Sequence, residues 1–176
     1  MKKTVLVAGI GNIFFGDDAF GCEVARELMR RPHPDGVRID DFGIRSYDLA
    51  YALMDGADAI LIDAVPRGEP PGTLYLIELD LDNLGAVGNS IPDAHSMTPV
   101  SVLEMVKSMG GAAGRLYLVG CEPSVLESED GQMGLSPSIQ AAIPQAVAMV
   151  ESLLHDLIHD KNTGRLSLAE TAREVS

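Results

Sequence analysis

The sequence predicts a single-domain α/β fold, a three-layer α/β/α sandwich around a mostly parallel, twisted sheet of about five strands. Three observations carry this. Thr4–Gly9 and Ala59–Ile62 are continuous apolar runs, the first ended by glycine and the second by Asp63, as in strands buried on both faces. Between the strand-like runs lie segments whose apolar residues recur at helical spacing. Strands and helices therefore alternate, and such alternation covers both faces of a parallel sheet.

Taken in order, Thr4–Gly9 is the first strand. Asp18 or a neighbour caps a helix over about Phe20–Arg31, where Val24, Ala25, Leu28 and Met29 follow helical spacing. Arg31–Gly36, with its prolines and Asp-Gly pair, is a turn. Val37–Asp41 is a short strand, Phe42–Arg45 a loop, and Ser46 the cap of a helix over Tyr47–Met54. After strand Ala59–Ile62, the turn-rich Pro66–Gly72 leads to another, Thr73–Glu78. Residues 79–94 read as irregular. A helix from about Thr98 to Met109 puts Val102, Met105, Val106 and Met109 on one face and stops at Gly110-Gly111. Arg115–Gly120 is the last strand, and 121–135 a polar loop. The final helix runs to about His159, with Pro137 in its first turn and Pro144 bending it. Residues 1–159 make the domain; 160–176, mixed in charge, are a tail, disordered or partly helical.

The 176 residues suit one domain, and 46% hydrophobic residues supply an ordinary core. Thirteen Lys plus Arg against 26 Asp plus Glu give a net charge of −13. That balance argues against nucleic acid, whose affinity comes from basic side chains on phosphates. A cation or a basic peptide suits it better, and solubility alone also accounts for it. Cys22 and Cys121 lie far apart with no CxxC spacing, so no disulfide framework or zinc knuckle is predicted and a reducing cytoplasm fits. The opening run breaks at glycines too early for a signal peptide, and no stretch approaches the roughly 18 apolar residues that span a bilayer. No membrane partner is expected.

In parallel sheets, ligands gather off the carboxyl ends of the strands, at a switch point in strand order. Asp17 and Asp18, after the first strand, and Asp63, ending a later one, belong to that edge. Each also has a plain structural reading: Asp17 and Asp18 as helix N-cap and first-turn acids, Asp63 as the cap of a loop. His95, in Asp93-Ala94-His95-Ser96, is either an idle exposed histidine or a ligand. His33 sits in a turn; His155 and His159, four apart without an H-E-x-x-H glutamate, read as solvated surface. Gly9-x-Gly11 opens like a dinucleotide fingerprint, with Asp40 and Asp41 as candidate ribose partners. However, Phe14 stands where the third glycine belongs, and two acids stand where a pyrophosphate needs open amides. Together, Asp18, Asp63 and His95 would make a mixed oxygen and nitrogen set suited to Ni²⁺, Zn²⁺ or Fe²⁺, with positions open for water or substrate. The residues alone name no reaction.

Four pieces, weak singly and specific in their order, give a resemblance. They are Gly9-Ile10-Gly11-Asn12 with Asp17-Asp18 and Gly21; Ile62-Asp63-Ala64; the His95 loop; and Leu118-Val119-Gly120 with Glu122-Pro123 and Gly134-Leu135-Ser136-Pro137. Over roughly residues 3–157 the chain resembles the hydrogenase maturation proteases, endopeptidases that finish the large subunit of [NiFe] hydrogenases. The resemblance implies a metal-binding and catalytic trio mapping onto Asp18, Asp63 and His95. The family's first-loop acid is often Glu; Asp18 is one methylene shorter, with Asp17 beside it. Where relatives often read Asp-Gly-Gly-Thr, this chain has Asp41-Phe42-Gly43-Ile44-Arg45-Ser46, a loop implied to contact substrate. The implied partner is the precursor of a hydrogenase large subunit, which delivers the nickel, although the site would accept other divalent metals. One bond near the precursor's C-terminus is cut, by a protease acting as a monomer. A checkpoint module that binds the metal-loaded partner without cutting needs the same trio, and nucleotide binding at the Gly9–Gly16 loop is the remaining alternative.

Overall fold

The computed structural model describes residues 4–84, 97–124 and 134–159. His95 and the predicted tail, 160–176, lie outside the described residues. Five strands, β1 (Val5–Ile10), β2 (Val37–Gly43), β3 (Asp58–Ala64), β4 (Leu74–Leu79) and β5 (Leu116–Cys121), form one sheet in the order β2-β1-β3-β5-β4. All pairings are parallel except β4 with β5, where Leu74 lies opposite Cys121. Among the described residues, four α-helices accompany them: α1 (Phe20–Met29), α2 (Ser46–Leu53), α3 (Pro99–Ser108) and α4 (Pro137–Ile158). The predicted α/β/α sandwich is the observed fold.

Strand alternation divides the core in two. On β3, Ile60, Ile62 and Ala64 pack with Phe20, Val24 and Leu28 of α1 and with Ile139, Val147 and Val150 of α4. Ala59 and Leu61 point the other way, to Leu49 and Leu53 of α2 and Val102, Leu103 and Val106 of α3. Contrary to the expectation that no stretch is long and apolar enough, α4 could span a bilayer by length and composition, but Ile139, Ala146, Val147, Val150, Leu153, Leu154 and Leu157 are buried in this core. It is a core helix whose exposed face carries Gln145, Glu151, Ser152 and His155 beside Ala141, Pro144 and Ala148.

Local chemistry sets several boundaries. Thr98 Oγ1 accepts from the Ser101 N–H at 3.1 Å, and Ser101 Oγ accepts from the Thr98 N–H at 3.0 Å, a reciprocal cap with Pro99 just inside. Gly110, with φ of +75°, follows the end of α3. The helix α4 continues through Pro144; Pro144 and Gln140, whose carbonyl loses its i+4 donor, are both exposed. Two expectations need correcting. The strand β2 runs on through Phe42 and Gly43, because Phe42 is buried in the core, with the Arg38 and Arg45 guanidinium groups each 5.7 Å from its ring centre. Ser46 is the first residue of α2 and not its cap; Arg45 occupies the cap position with no side-chain bond.

At the amino edge of the sheet, the buried Asp58 carboxylate receives the Arg115 N–H at 2.7 Å and the guanidinium at 2.8 and 3.1 Å. The same guanidinium donates to the Leu157 carbonyl at 3.3 Å, tying α4 to the start of β5. Asp58→Ala is expected to cost about 2–3 kcal/mol, because Arg115 keeps partial access to water. Urea denaturation gives the value, and a cost below about 1 kcal/mol would mean that the pair is not a structural tie.

Candidate active site

The strand β1 has β2 on one side and β3 on the other, so the connections leaving its neighbourhood diverge and a crevice opens off the carboxyl ends of β1 and β3. The sequence fills that crevice with acids. A short 3₁₀ turn, Gly16–Ala19, carries Asp17 and Asp18 into it, and Asp63 stands near the end of β3. Glycines permit this approach. A Cβ on Gly21 would run into the carbonyl oxygens of Ile10 and Ile62, and one on Gly11, at φ +145°, into the Asp18 carbonyl. The glycine pattern that resembles a dinucleotide fingerprint thus serves to seat the turn and α1 against β1 and β3. The Asn12 N–H donates to Asp18 Oδ2 at 2.8 Å, so a carboxylate occupies an amide that a phosphate would need.

The adjacent acids have different jobs. Neither caps α1, whose N-cap is Ala19. Asp17 is fully buried and accepts from the Ser124 N–H at 2.9 Å, the Ser136 N–H at 2.7 Å and the Ser136 hydroxyl at 2.8 Å. It thereby joins the turn after β1 to the chain leaving β5 and to the first residue before α4. Asp18 is half-buried and lies close enough to Asp63 for its charge to oppose ionisation there. Burial is the larger cause: Asp63 is 6% exposed, and its pKa is raised well above the ordinary carboxylate value despite a hydrogen bond from the Ala64 backbone. The structure brings Asp18 and Asp63 together. Among the described residues, no group of three His, Cys, Asp or Glu side chains is placed to hold a metal, and His95, the third predicted ligand, is outside them.

Other candidates resolve into structure. The buried Glu122 carboxylate accepts from the Arg67 and Gly68 N–H groups at 2.7 and 3.0 Å and from the Tyr75 hydroxyl at 2.7 Å, clasping the loop before β4 to the end of β5. Cys22 and Cys121 are free and buried. Burial, followed by a hydrogen bond and charge from Asp41, pushes the Cys22 thiol up; burial, then Asp17 and Glu122, pushes Cys121 up to about 12. Neither is an activated nucleophile. The His155 and His159 rings stack 4.2 Å apart on exposed α4 surface, away from the acids in the chain's topology.

Beside the acids, against the Asp41–Ser46 loop that the resemblance implied in substrate contact, lies an apolar cleft that the sequence did not announce. The loop after β1, the end of β2 with the loop after it, and α1 border this open cleft of about 300 Å³, whose apolar lining includes Ile13, Phe14, Phe42 and Ile44. A signal existed: Phe14 and Phe15 are adjacent and exposed in a chain with only 5% aromatic residues.

The fold and crevice define an α/β/α protein with paired carboxylates at a sheet switch point. A family model described as hydrogenase maturation protease matches residues 22–153, and the chain belongs to that family. The Hydrogenase 2 maturation protease of Escherichia coli is 30% identical over 167 residues, covering 89% of this chain and 99% of that one. The hydrogenase expression/formation protein HupD of Rhodobacter capsulatus is 34% identical over 148 residues, covering 83% and 69%. Among solved structures, the hydrogenase maturating endopeptidase HybD from E. coli is similar at a TM-score of 0.74 and 30% identity, over 87% of this chain and 93% of that one.

Proposed function

We propose that this chain is the endopeptidase that removes a short C-terminal peptide from the nickel-loaded large-subunit precursor of a [NiFe] hydrogenase. It docks on the substrate's nickel through Asp18, Asp63 and His95. The observation that carries the reading is the acid pair: a buried Asp63 whose ionisation Asp18 opposes, at the sheet's switch point, in a member of the maturation protease family. Two carboxylates so placed are costly to ionise alone and become favourable once a divalent cation shares them. Docking on the cation favours the ionised form of Asp63 that burial and Asp18 oppose, so nickel engagement and loss of a proton from Asp63 are coupled.

The nickel arrives as part of the substrate, held by cysteine thiolates of the precursor. Its engagement by the trio reports that insertion is complete. It also orients the scissile carbonyl and polarises that carbonyl or a bound water. Asp18 and Asp63 are the groups at hand to take the proton of an attacking water. The family's maturation activity and the acidic chain, suited to a cation-bearing partner, support the same assignment.

The test is a gel-shift assay with nickel-loaded precursor beside nickel-free precursor. Loss of a short C-terminal peptide is expected only with nickel. Asp18→Ala, Asp63→Ala and His95→Ala are each expected to lose processing, by at least about a hundredfold, with folded circular dichroism spectra. Normal cleavage by all three variants would refute the site. Binding without cleavage would make the chain a checkpoint module.

A further inference from the structure

The apolar cleft shares a wall with the acid pair. Asn12 lines it, and the Asn12 N–H is the donor to Asp18 Oδ2 at 2.8 Å. We propose that this cleft seats one large apolar side chain of the precursor tail, close to the bond that is cut, and so selects the tail. The proposal rests on the reading of the chain as the processing endopeptidase.

The charges around the cleft argue for an apolar occupant. Asp41 receives Arg26 Nε at 3.2 Å on Oδ2 and the Gly43 N–H at 3.0 Å on Oδ1. Arg26 also donates to Glu23 at 3.1 Å. The Arg45 guanidinium donates to the Asp41 and Phe42 carbonyls at 2.7 and 3.2 Å and to Asp48 at 3.3 Å. Every charged group lining the cleft is therefore already engaged within the chain, and an ionic ligand group would have to break one of these pairings. Besides Asn12, Cys22 and two glycines, the remaining lining is hydrocarbon. Ile13 and Phe42 form walls, and Phe14 and Ile44 stand on opposite loops, 60% and 61% exposed. Exposed apolar groups at the mouth of one cleft are surface that a bound apolar side chain would remove from water.

Size and rigidity narrow the occupant further. A volume of about 300 Å³ is at the small end for ligand pockets, room for one bulky side chain and its backbone. The two walls are joined by the Gly11 N–H, which donates to the Gly43 carbonyl at 3.1 Å, so the cleft exists before the tail arrives and little ordering is needed on binding. Continuity with Asp18 places an occupant within reach of the acids that would engage the nickel. An extended tail can satisfy both; a folded domain cannot enter.

The experiment measures processing of nickel-loaded precursor by the full chain and by Phe14→Ser and Ile44→Ser. Each variant is expected to raise KM about tenfold or more, with kcat falling less than KM rises, and to melt near the wild-type temperature because both side chains are exposed. Alanine is also placed at each tail position near the cut. One apolar position is expected to raise KM about tenfold on the wild type and to add little on Phe14→Ser, the non-additivity of groups in contact. Wild-type KM in both variants, a loss in kcat alone, or full additivity at every tail position would overturn the cleft assignment while processing by the wild type leaves the endopeptidase standing. If the wild type cleaves no nickel-loaded precursor, the endopeptidase reading fails and takes this proposal with it.

Discussion

Asp63→Asn is expected to make the protein more stable and inactive at once. The amide keeps the shape of the side chain but never carries the charge that burial and Asp18 oppose. Because the folded-state pKa of Asp63 lies above its unfolded value, the folded chain holds this proton more tightly than the unfolded one. Its contribution to stability is therefore fully present below the unfolded value and is lost as pH rises through the folded one. The variant should melt higher than the wild type in alkaline buffer, by about 0.5–2 kcal/mol or roughly 2–6 °C, the usual size for relief of a functional-site conflict. The gap should close as pH falls toward about 4, where both chains carry a neutral side chain at this position. Processing should drop by at least about a hundredfold, since an amide is a poor ligand for a dication and no base. Thermal melts from pH 4 to 9 and the precursor assay check both halves. A wild type that is as stable as the variant at high pH would show that Asp63 is not held against its charge.

Asp17→Ala should do the reverse and remove stability. Its carboxylate accepts from two backbone N–H groups and a hydroxyl, at 2.7 to 2.9 Å, in a fully buried position. Bonds to a charged acceptor are worth about 1.5–3 kcal/mol each and do not add fully, and the truncation strands buried donors. A loss of about 3–5 kcal/mol is expected, or roughly 10 °C in melting temperature. Ser136→Ala removes the hydroxyl alone and should cost about 1 kcal/mol. Urea denaturation of both variants measures the difference. Equal, small losses would mean that Asp17 does not tie the turn after β1 to the start of α4. Processing by Asp17→Ala should fall as well, because the turn that it anchors carries Asp18.

Much of the fold could be read because its signals are local. The strands β1 and β3 are buried on both faces, so their sequences are unbroken apolar runs. The helix α3 announces itself through Thr98, Pro99 and Gly110, residues within one turn of the boundaries they set. The end of β2 could not be read this way. Phe42 looks like a loop residue beside Gly43, and only the core that it enters makes it part of a strand.

The site divides along the same line. The sequence by itself determined the order of strands and helices, the acids at the carboxyl edge, and the family pattern that joins them, because each depends on residue type and spacing. The family pattern pointed to Asp18 for the trio, but spacing could not say what Asp17, an identical side chain in the same turn, does. Only the tertiary structure decided that Asp17 binds Ser124 and Ser136, 107 and 119 positions away, while Asp18 accepts from Asn12 and lies near enough to Asp63 for its charge to act there. The tie of Asp58 to Arg115 across 57 positions and the apolar cleft between two loops have the same origin. Such contacts exist when the sheet has brought distant segments together, and no local spacing in the chain encodes which segments will meet.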